Sequence, residues 1–230
     1  MKRRWLRRVV LIAALLLLVV VAGSVWAAHV IGSRVTAKNH VPHPDAVPQV
    51  TDTPIKGELQ LENHTCGYLA LAAVYRAFGL DPEREQLRKR LGTDTPAHPF
   101  DAASTGTLHP DILRVVTQDN FGYQIVDLAS PALMAAVRNH LEQGHPLLTL
   151  IVRPQSGGLH WVVIDGEQDG SFRVIDSLHQ EVQQLSVEPF IHDQVVSMLA
   201  LAPAGVLPVS QQPQVDGVHE MRQVAERLRK

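Results

Sequence analysis

The sequence predicts an α+β domain in which a helical first half packs on an antiparallel sheet built from the second half. Three observations predict it. Apolar residues recur at helical spacing between residues 65 and 144. From residue 146 to residue 201 the chain changes to short runs rich in Val, Ile and Leu, separated by Gly and Asp. No internal repeat is evident, and 202 residues follow the leader, enough for one domain with a substantial core.

The leader comes first in the chain. Residues 1–8, "MKRRWLRR", carry five basic side chains, and residues 9–28, "VVLIAALLLLVVVAGSVWAA", form a 20-residue run without a charge. A run of about 20 apolar residues is the length that crosses a hydrocarbon core as a helix. Positive charge ahead of it keeps the amino end in the cytoplasm, so everything after Ala28 is expected on the periplasmic or extracytoplasmic side of a bacterial inner membrane. The segment reads as an uncleaved transmembrane signal anchor or as a cleaved signal peptide, Val25 and Ala27 being acceptable before a cut. The length of the run favours the anchor. Residues 29–56 contain Pro42, Pro44, Pro48 and Pro54 and read as a spacer that lifts a domain off the membrane.

The domain itself is expected over residues 57–203. A buried helix is predicted over Thr65–Phe78, with Thr65 as N-cap and Cys66 in the first turn. Asp81 can cap a second helix in "DPEREQLRKRLG", with Pro82 in its first turn and Gly92 as its stop. Residues 95–106, "TPAHPFDAASTG", form a loop long enough to bind a ligand. Two more helices are expected in "PDILRVVTQDN" and "PALMAAVRNHLEQG", the latter ended by Gly144. Strands follow in "PLLTLIV", "HWVVID", "SFRVID", "VQQLSV" and "VVSMLAL". Residues 204–230 form a tail whose Val218, Met221, Val224 and Leu228 make a helical stripe, expected to dock on the chain's own domain.

Charge narrows the partners. Without the leader, 16 Lys and Arg face 23 Asp and Glu, so the exported part is acidic and lacks a basic patch with interleaved aromatics. Nucleic acid is excluded as a partner on these grounds. A membrane, through the leader, and a peptide or protein remain.

Cys66 is the only cysteine. In an oxidising compartment an unpaired cysteine suggests a reactive thiol or an intermolecular partner, against the plainer reading of an inert buried side chain. Its place in a first helical turn favours reactivity. Unpaired N–H groups and the positive end of the helix dipole stabilise a thiolate, lowering the thiol pKa below about 8.5. Gly67 is read as a position where a substrate backbone can approach the sulfur.

The predicted sheet selects one of 12 histidines as the base. "HWVVIDGEQDGSFRVID" reads as a hairpin with its turn near Gln168, which sets Asp165 against Ser171 and His160 against Asp176. Directly opposed side chains share a face and lie about 4.5–5.5 Å apart at Cβ. A carboxylate there would fix the tautomer of an imidazole and stabilise its protonated form. Gln60, six residues before Cys66, can fold its amide back as an oxyanion donor, as can Asn63. His64 is a cleft-lining loop residue on this reading.

"QLENHTCGYLALAAVYRAFG" resembles the active-site helix of the C39 family of papain-like cysteine peptidases. Gln60, Cys66, Gly67 and Gly79 occupy that family's motif positions. "GHPLLTLIVRPQSGGLHWVVIDGEQDGSFRVID" is similar to the second half of the same domain, opening on Gly144 and Pro146. The resemblance implies a papain-like fold and a Cys66–His160–Asp176 triad with Gln60 beside it, needing no cofactor. Family relatives fused to ABC transporters cut leader peptides after a double glycine, which makes secretion or transport machinery a further partner class. Two departures stand out: Thr65 replaces the Asp common before the cysteine, and Ser177 the Pro common after the catalytic Asp.

Rival readings are a non-catalytic peptide-binding module on the same fold and an acyl-transfer enzyme. A metal site of His64, Cys66 and His160 is the weakest, because no ligand spacing among them is specific.

Overall fold

A computed structural model describes residues 11–26, 55–93 and 106–229. The basic leader (1–8), nearly all of the spacer and most of the 95–106 loop lie outside the described residues. Residues 11–26 are helical (α1) and expose their apolar side chains. Among the described residues no helix is long and apolar enough to cross a membrane.

Helix α2 spans Cys66–Ala77, and its residues from Gly67 to Tyr75 are all buried. Such a helix has no solvent face, which is why its sequence "CGYLALAAVYRA" is apolar all round. Gly79, at φ 75°, ends it in the left-handed region that favours glycine. Helix α3 covers Arg84–Arg90, starting two residues later than the sequence suggested: Glu83 holds the N-cap position, so Asp81 does not cap it. Its close is as expected, with Gly92 at φ 67° and Thr93 N–H bonding back to the Arg88 carbonyl. Helix α4 is His109–Gln118. Where α2, α3 and α4 meet, the Tyr75 hydroxyl donates to Asp119 at 2.7 Å and Arg90 grips the same carboxylate with two bonds of 2.8 Å. Paired this way the charges are tolerated inside; removing one partner of such a buried pair costs about 3–5 kcal/mol.

Strand β1 (Phe121–Ile125) follows α4, then α5 (Leu133–Glu142), β2 (Leu147–Val152), β3 (Leu159–Gln168), β4 (Ser171–Ile175), β5 (Gln183–Ser186), α6 (Val187–Asp193), β6 (Val195–Pro203) and α7 (Pro213–Arg227). The strands make one antiparallel sheet in the order β1-β6-β2-β3-β4-β5. Strand β1 and helix α6 were not foreseen. Gly122 weakens the strand signal in "FGYQI", yet it is needed there, because a Cβ would sit 2.1 Å from the Leu207 carbonyl oxygen.

Helices cover both faces of the sheet. Leu148, Leu150, Trp161 and Val163 face the core shared with α2 and α4, whereas Leu147, Ile151, Val162 and Ile164 face the one shared with α5 and α6. Burial on both sides explains why "LLTLIV" and "VVSMLAL" are apolar without alternation.

The β3–β4 hairpin also differs in register. Its turn is Asp169–Gly170, both at positive φ (52° and 75°), and Gln168 pairs with Ser171. The pairing then shifts: Gly166 faces Arg173, but Ile164 faces Val174, leaving Asp165 as an extra, bulged residue. Asp165 therefore does not face Ser171, and His160 does not directly face Asp176. Continuing the shifted register puts Asp176 opposite Val162, two residues from His160 on the same face. Without the bulge Asp176 would turn to the other face. The two side chains meet at the open end of this hairpin, His160 Nε2 lying 2.7 Å from Asp176 Oδ1.

Candidate active site

Cys66 is the first residue of α2, which packs on β3. Thr65 holds the N-cap position, but its hydroxyl donates to the Glu62 carbonyl at 3.0 Å and makes no cap bond. This corrects the expected role of Thr65. The consequence is local: the first-turn N–H groups stay free to face the sulfur. Cys66 is partly buried and in no disulfide.

His160, the second residue of β3, is 3% exposed. Its Nε2 lies 2.7 Å from Asp176 Oδ1, which leaves Nδ1 as the ring nitrogen for the thiol. Burial alone would lower the His160 pKa, but hydrogen bonds to Asp176 and Cys66 and their negative charges raise it to about 9. The reciprocal holds for Cys66. Burial pushes the thiol up, yet the His160 hydrogen bond and charge, helped by the backbone of Trp161 and Gly67, leave it below its ordinary value. Asp176 is opposed by burial as well and is held low mainly by His160 and by the Leu178 N–H, 2.8 Å from Oδ1. The three groups stabilise one charge distribution: thiolate, imidazolium, carboxylate.

The remaining expected residues divide. Asn63 and His64 line a cleft of about 370 Å³ that opens at Cys66. Gly67 does not line it: a Cβ there would fall 2.4 Å from Thr107 Cβ, so the missing side chain makes room for Thr107 rather than for a substrate. Gln60 is also outside the lining. Its Nε2 donates to the Glu62 carbonyl at 2.7 Å, its Oε1 accepts from Ser177 Oγ at 3.0 Å, and its N–H donates to the Ser177 carbonyl at 2.6 Å. Ser177, at one of the two departures from the C39 motif, thus ties Gln60 to the residue beside Asp176.

The structure adds Thr107, His109, Trp161, three α7 residues and the α7 C-cap Leu228 to the cleft wall. Trp161 was legible as the neighbour of His160, and its indole N–H donates to the Thr107 carbonyl at 3.1 Å. The α7 stripe was legible too, but not where it docks. Among the described residues no group of three His, Cys, Asp or Glu is arranged to hold a metal ion, and the His64–Cys66–His160 set is not one.

A family model, the Peptidase_C39 like family, matches residues 51–191. The chain belongs to this family. The match covers both segments on which the C39 resemblance rested. Among solved structures, the peptidase domain of Streptococcus ComA, a bifunctional ABC transporter involved in a quorum-sensing pathway, is 19% identical, with a TM-score of 0.51 over 65% of this chain and 99% of that one. The Streptococcus mutans ComA peptidase domain is 18% identical (TM-score 0.45, 64% and 99% covered). A double glycine motif protease from an AMS/PCAT transporter, solved with its leader peptide, is 17% identical (TM-score 0.45, 69% and 99% covered). No curated protein matches. The likeness establishes a C39-like, papain-like α+β fold, with helices packed on a six-stranded antiparallel sheet.

Proposed function

We propose that this chain is an exported cysteine peptidase of C39 type, acting on a peptide or protein through Cys66, His160 and Asp176. The observation that carries the reading is the reciprocal pair of shifts: a thiol held low and an imidazole held at about 9, with Asp176 2.7 Å behind the ring. Both shifts favour a thiolate beside an imidazolium, a nucleophile and a proton donor already separated.

The thiolate attacks the scissile carbonyl carbon, and the carbonyl π electrons move to oxygen. The Cys66 backbone N–H, in the free first turn of α2, stabilises that oxyanion. Gln60 supplies a second donor through the amide hydrogen that the Glu62 carbonyl does not take. His160 then gives its proton to the leaving amine as the C–N bond breaks, leaving a thioester. Water attacks the thioester with His160 taking its proton, and expulsion of the thiolate restores the enzyme. Asp176 holds the ring in place and stabilises its charged form throughout.

The charge-free run of residues 9–28 behind a basic leader supports attachment to the inner membrane, with the peptidase domain on the periplasmic or extracytoplasmic side. Secretion or transport machinery fits this placement as a partner class.

Cys66→Ala is the test. It is expected to abolish hydrolysis of a peptide library while leaving the circular dichroism spectrum and melting temperature near those of the wild type. Undiminished hydrolysis by a folded Cys66→Ala protein would remove the reading.

A further inference from the structure

The cleft that opens at Cys66 is closed on its far side by α7. Met221, Val224, Ala225 and Leu228 line it, and their spacing of three, four and seven residues puts them on one helical face. Leu150, Leu159 and Trp161 stand among the other lining residues. The charged Arg222 and Glu226 are exposed instead. The wall is therefore apolar on both sides, and it reaches the nucleophile.

This wall is fixed rather than draped. Gly217 lets α7 approach α4 so closely that a Cβ would lie 2.5 Å from Pro110 Cα. Asp216 accepts 2.5 Å bonds from the Tyr123 and Ser210 hydroxyls, and Arg227 donates to the Val196 carbonyl at 2.6 Å. Glu220 is buried and hydrogen-bonded to Ser197, whose hydroxyl also meets His109 Nε2 at 2.9 Å. The family match ends at residue 191, so this chain carries α7 beyond the matched segment and makes it part of the cleft.

Two polar atoms of lining residues have no hydrogen-bond partner although they are buried: His64 Nε2 and Thr107 Oγ1. The former is 3.6 Å from Glu62 Oε2, beyond hydrogen-bond range. Buried polar atoms without partners are costly unless something satisfies them.

We propose that α7 turns this cleft into a subsite for one bulky apolar side chain, of Leu, Met or Phe size, next to the scissile carbonyl. The proposal rests on the peptidase reading and names its substrate class. The volume of about 370 Å³ falls in the range that holds ligands of this size or larger. Transfer of such a side chain from water favours it by roughly 10- to 100-fold over glycine.

Cys66 is the only cysteine, so its alkylation can be read by intact mass. Acetyl-Phe and acetyl-Gly chloromethyl ketones are compared on the full chain; in each, the sulfur displaces chloride and forms a thioether. The Phe reagent is expected to react roughly 10-fold faster or more. Met221→Glu and, at the exposed end of the wall, Leu228→Glu are each expected to cut that ratio about 10-fold, with melting temperatures showing that both fold. A wild-type ratio near one, or a ratio unchanged in both variants, overturns the subsite. A high ratio in a protein that hydrolyses no peptide sustains the subsite and overturns the peptidase reading instead. Hydrolysis with no preference for a bulky apolar residue overturns the subsite alone.

Discussion

His160 and His109 are each 3% exposed, one the chain neighbour of Trp161, the other packed on its indole at 4.9 Å between ring centres. Burial acts on both in the same direction, against the charged ring. His109 follows burial and drops to about 4; His160 rises to about 9 because a carboxylate and a thiolate face it. Among the described residues His109 meets the neutral Ser197 hydroxyl, 2.9 Å from Nε2. The comparison teaches that the site is created by its two anions, not by a buried imidazole as such.

Removing the anion behind the ring should therefore have the largest effect. Asp176→Asn keeps the shape but leaves His160 without its carboxylate, so the His160 pKa falls and the Cys66 thiol rises toward its ordinary value. A loss of about 10²- to 10⁴-fold in kcat/KM is expected. The alkaline limb of the pH–rate profile, set near pH 9 by His160, should move to lower pH. Wild-type kcat/KM in Asp176→Asn would break the comparison at its centre.

The second effect is on stability and has the opposite sign for the two rings. His109 has a folded pKa of about 4 against 6.5 unfolded. Between those values the unfolded chain binds a proton that the native chain does not, so its contribution is present above pH 6.5 and lost as pH falls toward about 4. His160, raised above its unfolded value, contributes stability that is complete below pH 6.5 and lost as pH rises through about 9. His140 and His145, lowered by burial, act in the same sense as His109, and Glu220, raised by burial, acts against it. Comparing the wild type with His109→Gln isolates the His109 share. From pH 7 to pH 5, urea unfolding should show the wild type losing about 2 kcal/mol more than the variant. Equal losses would show that His109 does not carry the acid sensitivity.

How much of this was legible follows the range of each interaction. Helix α2 and its glycine stop, the cysteine in the first turn and the five strands foreseen are local patterns, and the sequence carried them. The pairing of His160 with Asp176 was reached through a register that the structure does not have. The strands instead shift register at an unforeseen bulge at Asp165, and the two side chains still meet. A bulge is selected by what lies across it, here Arg173, which binds the Asp165 carboxylate, and no short-range signal announces it. The same limit hid the neighbours of Gly67 and Gln60. Both positions matched a motif, but Thr107 over the glycine and Ser177 on the amide come from 40 and 117 residues away. The apolar stripe of α7 was visible, whereas its place beside Cys66 depends on α4 and β6.

The smallest effect sharpens what counts as an effective partner. His179 stands on the other side of Asp176, its Nε2 3.7 Å from Oδ2, with a side chain 53% exposed. A bond at that distance through solvent is worth about 0–1 kcal/mol, and the carboxylate does not depend on it, since the Leu178 N–H holds Oδ1 at 2.8 Å and the Asp176 carbonyl accepts from the His179 N–H at 3.0 Å. His179→Ala keeps that N–H and removes only the ring. It should change kcat/KM by less than about 5-fold, and 0.5 M salt should erase even that difference by screening. A loss comparable with that of Asp176→Asn would mean that an exposed imidazole, not only the buried pair, sets the charge of the site.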